Sequence, residues 1–97
     1  MATFVSLINW TEQGISTFRD TPKRADAFKQ LITKYGGSVN SLWWTLGPYD
    51  IIAVVEAPDD ETMTAAALEL GALGNVRTTT LRAFGRTEIE TIIKKTG

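Results

Sequence analysis

An aspartate set just after a tight turn is the polar residue of this chain with the clearest chemical potential. Asp50 follows Leu46-Gly47-Pro48-Tyr49, and a carboxylate at the start of a strand can act as a general base or orient a bound ligand. The same carboxylate can instead accept hydrogen bonds from backbone or from Thr45 and fix the turn, which is the commoner use of a short polar side chain there. Tyr49 offers a phenolic donor, although its alternation with Ile51 and Ala53 suits a core position with the hydroxyl at the edge. Trp10, Trp43 and Trp44 are many for 97 residues. Trp10 and Trp43 are candidates to stack on a planar ligand, whereas Trp44 reads as packing. Glu56 and Arg82 complete a candidate ligand-binding set of Asp50, Trp43, Trp10, Glu56, Arg82 and Tyr49.

The residue types that are missing narrow the chemistry further. The chain has no cysteine and no histidine, which removes disulfides, thiolate nucleophiles, thiolate zinc sites and the imidazole base or ligand. No metal site and no cofactor are expected, and an enzyme built here would have to use carboxylates, Tyr, Lys, Arg or a bound cofactor. Ten basic against eleven acidic residues leave a formal charge of −1, which argues against sequence-independent nucleic-acid binding. Gly36-Gly37 lacks the spacing and the following Lys-Ser/Thr of a phosphate loop. Arg19, Lys23 and Arg24 gather near a helix start, where an anion can sit, but three such residues more often form a solvated face. No apolar run approaches the roughly 18–20 residues of a membrane helix. The opening Met-Ala-Thr-Phe-Val lacks the basic start of a signal peptide, so a cytoplasmic location is expected.

The elements that must position these residues are legible from patterning. Residues 3–10 and 38–46 are rich in β-branched and aromatic residues and read as strands, as do 49–57 and 75–84. Gly47-Pro48 between the second and third predicts a tight antiparallel hairpin. Thr21-Pro22 marks a helix start, with Thr21 as cap. Ala25, Phe28, Leu31 or Ile32, and Tyr35 supply its apolar face, and Gly36-Gly37 its stop. Pro58-Asp59-Asp60-Glu61 opens a second helix through Met63, Ala66, Ala67 and Leu70. Thr87-Glu88-Ile89-Glu90 predicts a capping box for a short C-terminal helix striped by Ile89, Ile92 and Ile93. The 43% apolar and 22% charged composition suits one globular domain over residues 1–97. The order is βαββαβ plus a tail helix: an α+β, ferredoxin-like antiparallel sheet with both crossover helices on one face.

Hairpin parity pairs Trp44 with Ile51 and Leu42 with Ala53 under the helices, and Trp43 with Ile52 and Ser41 with Val54 on the other face. Leu46 and Tyr49 should follow the helix-side set, and Glu56 the open-face set. Val5 and Leu7 are expected under the helices, which would leave Ser6 and Trp10 on the open face. Arg82 is expected there too, near Asp50 or Glu56. A bare sheet face of this kind calls for a cover, most simply a second subunit.

The stretch Trp44-Thr45-Leu46-Gly47-Pro48-Tyr49-Asp50, with Ile51, Ile52 and Glu56-Ala57-Pro58-Asp59-Asp60, resembles the GYD-domain family of small bacterial proteins. The similarity extends to Gly14-Ile15, Gly74-Asn75-Val76-Arg77 and Ala83-Phe84. The family's Gly, Tyr and Asp fall on Gly47, Tyr49 and Asp50. The resemblance implies a ferredoxin-like fold of the dimeric α/β-barrel type and brings no activity with it. Taken together, the expected function is a homodimeric or higher oligomeric module that binds a small apolar or aromatic molecule at the subunit-covered sheet face. The alternatives are a cofactor-independent monooxygenase-like enzyme with Asp50 as base, and a purely structural assembly domain.

Overall fold

The computed structural model describes residues 1–97. Strand β1 spans Ala2–Trp10, followed by the one-turn helix α1 (Glu12–Ser16), a 3-10 turn (Phe18–Asp20) and α2 (Thr21–Lys34). Then come β2 (Ser38–Trp44), β3 (Ile51–Ala57), α3 (Asp60–Ala72), β4 (Val76–Ala83) and α4 (Arg86–Lys94). The sheet order is β2-β3-β1-β4, and every neighbouring pair is antiparallel. With α2 and α3 on one face this is the ferredoxin-like α+β arrangement, as the order of elements predicts.

The core lies between that face and the helices. Phe4, Ala53 and Val55 meet Phe28 and Ile32 of α2 and Met63 and Ala66 of α3. Burying Ile32 and Val55, each 1% exposed or less, contributes about 1.5–3 kcal/mol per side chain. A smaller cluster of Ile8, Ile51 and Val76 occupies the other end of the sheet.

The hairpin register is as predicted, with Trp44 opposite Ile51, Trp43 opposite Ile52, Leu42 opposite Ala53 and Ser41 opposite Val54. A register shift between Val39 and Ser41 lies below these pairs and leaves their parity untouched. The ladder stops at Trp44 and Ile51, so the connection is longer than Gly47-Pro48 alone. Thr45 closes it, its N–H donating to the Asp50 carbonyl at 2.8 Å and its hydroxyl to the Tyr49 carbonyl at 2.6 Å. Gly47 takes a positive φ of 112° there, which glycine tolerates without a Cβ clash. Leu46, expected beneath the helices, is instead fully exposed in this loop.

Two faces differ from expectation. In β1 the helices cover Phe4, Ser6 and Ile8, while Val5 and Leu7 face outward. Both sets are apolar, so alternation alone carries no polarity contrast to choose between them. Ser6 is fully buried there, and its hydroxyl is satisfied by the Thr80 hydroxyl at 2.9 Å. In β4 the cross-strand pairs Phe4–Arg82 and Ser6–Thr80 place Arg82 on the helix side. Two caps also move. Thr21 is the first residue of α2, because the 3-10 turn runs straight into the helix and leaves both Asp20 and Thr21 in helical backbone conformations; its hydroxyl accepts the Trp44 indole N–H at 3.0 Å. Helix α4 begins two residues early, with Gly85 as cap and Glu88 accepting the Gly85 N–H at 3.2 Å.

Candidate functional site

The six residues expected to form one site do not all meet at one place. Trp43 and Glu56 share the uncovered face but stand near its opposite ends: Trp43 pairs with Ile52, and Glu56 lies in the row of Ser38 and Thr3. Asp50 and Trp10 are joined at the foot of β1, where the Asp50 carboxylate accepts the Trp10 backbone N–H at 2.9 Å. This is the structural use of a turn carboxylate, with Trp10 in place of Thr45 as donor. Tyr49 sits half-buried in the hairpin loop, its carbonyl taken by Thr45.

Arg82 lies at the far end of the helix side. Its guanidinium contacts Glu88 at 3.1 Å and Asp60 at 3.8 Å, and stacks 4.6 Å from the Phe84 ring centre and 5.7 Å from that of Phe4. It therefore pairs with carboxylates of the helix side and not with Asp50 or Glu56. Hydrogen bonding from the Gly85 N–H, and then from Arg82, holds the exposed Glu88 carboxyl below its ordinary range. Among the described residues no group of histidines, cysteines and carboxylates is arranged to hold a metal ion.

Two surfaces remain. The first is the uncovered sheet face, built from β-strand alternation. Ladder register aligns Ser41–Val54–Val5–Leu81 in one row and Trp43–Ile52–Leu7–Thr79 in the next. The result is an apolar centre in which Trp43 is 55% and Leu81 48% exposed. Glu56 closes it at one end, and Arg77, paired with Asn9, closes it at the other.

The second surface is a cleft of about 490 Å³ between α2 and α3, on the helix side. Its floor is Ile8, Ile51 and Val76, its walls include Phe28, Leu31 and Leu70, and Trp10 lines it together with Arg24. At the rim Lys34 meets Glu69 at 3.3 Å, and Tyr35 donates to the same carboxylate at 3.3 Å. Sequence patterning does not announce this cleft, although one signal bears on it. Leu31 and Ile32 are both apolar at adjacent positions of α2, and the helix needs only one of them for its core stripe. Ile32 serves the core and Leu31 the cleft.

The sequence profile described as the GYD domain matches residues 4–93. The chain is 38% identical over 85 residues to a Thermus thermophilus protein named glutamine synthetase and cystathionine beta-lyase binding protein; the match covers 87% of this chain and 90% of that one. A crystal structure of a Thermus thermophilus protein aligns with a TM-score of 0.57 and 28% identity, covering 88% of this chain and 95% of that one. A structure of an unknown protein from Galdieria sulphuraria aligns with a TM-score of 0.51 and 23% identity, over 87% of this chain and 45% of that one. The second structural likeness concerns the fold alone.

Proposed function

The chain belongs to the GYD domain family, and we propose that it is a self-pairing binding module that holds protein partners. The observation that carries the reading is the apolar centre of the uncovered sheet face, with Trp43 and Leu81 each about half exposed. An apolar patch of that extent is left bare on few monomers.

The occupant best matched to the face is a second copy of the chain. Four strands about 4.8 Å apart, each about seven residues long, cover roughly 400 Å² in plan. Side-chain relief raises the accessible area toward the ~800 Å² per partner of a standard interface. The charges also suit self-pairing, because Glu56 and Arg77 close the apolar centre at opposite ends. A two-fold axis lying in the interface and across the strands brings the acidic end of one copy over the basic end of the other. A small apolar or aromatic molecule held between the paired faces would lie against Trp43.

The relative's name describes a protein that binds two enzymes, and a protein-binding role for this chain follows that likeness. Helix α4 and the residue before its cap offer surface for it: Phe84, Ile89 and Ile93 are between 41% and 58% exposed. The domain reaches 52 Å along its longest axis against 19 Å along its shortest.

The double substitution Trp43→Glu/Leu81→Glu tests self-pairing, since both side chains are exposed and neither supports the monomer's core. Light scattering during size exclusion should give the unaltered chain about twice its 10.7 kDa mass and the variant the single mass, with unchanged far-UV circular dichroism. An unaltered chain at the single mass, or a variant that still pairs, overturns the reading.

A further inference from the structure

The cleft between α2 and α3 lies on the opposite side of the sheet from the proposed pairing face, and three features of it point to a ligand. Its volume of about 490 Å³ falls in the ~300–1,000 Å³ range of small-molecule sites. Its lining is mostly apolar, from both helices and from all four strands, so an apolar body gains by entering it.

Trp10 lines the cleft, and its indole N–H is closed to solvent with no acceptor in the chain. Closed to water, that N–H is also out of reach of a ligand oxygen in the cleft, so Trp10 contributes the apolar part of its side chain to the lining. The third feature is polar. Arg24 is the lining charge without a counter-ion. Its guanidinium donates to the Thr17 hydroxyl at 2.9 Å, the Gly14 carbonyl at 2.9 Å and the Thr17 carbonyl at 3.2 Å. All three acceptors are neutral, and no carboxylate stands within ion-pair distance of it. Lys34 and Glu69, the other charged pair at the rim, neutralise each other. A fixed guanidinium beside an apolar hollow suits an oxyanion carried on an apolar body.

We propose that this cleft binds a small organic carboxylate with a planar or aliphatic apolar body, its oxyanion at the Arg24 end and its apolar body against the Trp10 side chain. This site is independent of self-pairing, since none of the outward-facing residues Val5, Leu7, Trp43, Ile52, Val54 and Leu81 lines it.

The probe is 2-naphthoate, titrated into the full chain while the three tryptophan indole N–H signals are followed by ¹⁵N NMR. The Trp10 signal should move saturably while that of Trp43 stays in place. Naphthalene-2-carboxamide should bind about tenfold more weakly, since a charge-assisted bond is lost, and Arg24→Gln should erase that preference. Ala27→Phe, a substitution at an exposed lining position, should block the cleft and abolish binding without disturbing the fold. The Trp43→Glu/Leu81→Glu variant should bind as the unaltered chain does, which separates this site from the pairing face. A Trp10 signal that stays still up to millimolar probe, movement confined to Trp43, or full binding by Ala27→Phe overturns the proposal.

Discussion

The carboxylate of Asp50 accepts the backbone N–H of Trp10 at 2.9 Å, while the N–H of Asp50 donates to the Ile8 carbonyl at 2.9 Å. This reciprocal clamp extends the β1–β3 pairing beyond its last registered pair, Ile8 and Ile51. It also fixes the end of β1 from which the Trp10 side chain enters the cleft.

Removing the carboxylate should therefore cost stability. Asp50→Ala is expected to lose about 1.5–3 kcal/mol, the scale of a hydrogen bond to a charged acceptor, and Asp50→Asn less. Urea unfolding followed by tryptophan fluorescence measures both. A neutral Asp50→Ala would show the clamp to be idle.

Gly14 is buried where α1 passes the start of β4, and a Cβ there would run into the Asn75 carbonyl. That carbonyl also accepts the Thr11 N–H at 3.1 Å, so the backbone cannot yield without breaking a bond. Gly14→Ala should cost roughly 1–3 kcal/mol through overpacking. Gly71→Ala, where no atom lies within 4 Å of the added carbon, should be neutral or slightly stabilising in its helix. Thermal unfolding of the two variants side by side makes the comparison.

The acid response follows from two carboxylates. Glu88 is held below its ordinary 4.5 by Gly85 and Arg82, and Asp59 below 3.8 by hydrogen bonds from Thr62. Their folded-state values are depressed, so their contributions are whole above the ordinary values and lost as pH falls through the lower folded ones. Each caps a helix, α4 and α3 respectively. Stability should therefore decline as pH drops below about 4.5, and Glu88→Gln should flatten the upper part of that decline. Urea midpoints between pH 6 and pH 3 read it directly; an unchanged slope in Glu88→Gln removes Glu88 as a contributor.

Ser6 and Thr80 share the polar contact beneath the helices. Ser6→Ala leaves the Thr80 hydroxyl without that partner and should cost about 1–2 kcal/mol, whereas Ser6→Ala/Thr80→Val, which removes both hydroxyls, should recover part of the loss. A double-mutant cycle in urea gives the coupling, and additive losses would show that the hydroxyls do not depend on each other.

Fold class, element order and hairpin register are legible in the sequence because glycines, prolines and apolar periodicity mark them locally. The faces of β1 and β4 are not. Val5 and Leu7 are as apolar as Phe4 and Ile8, and only the ladder to β3 tells the two sets apart. The side of the sheet that Arg82 takes is hidden for a related reason: its partners Asp60 and Glu88 lie in other elements, so no local spacing announces them. The cleft depends on how far α2 and α3 stand apart, a tertiary quantity that neither helix encodes alone. Trp10, a candidate ligand contact by its sequence, does line that cleft, on the opposite side of the sheet from the one expected.

The most direct test of self-pairing is an isotope-filtered NOE experiment on an equimolar mixture of ¹³C-labelled and unlabelled chain. Cross-peaks between copies should link the methyls of Val5, Leu7, Ile52, Val54 and Leu81 and the ring of Trp43. An absence of cross-peaks between copies, or cross-peaks confined to Ile89 and Ile93 of α4, would contradict pairing through the sheet face.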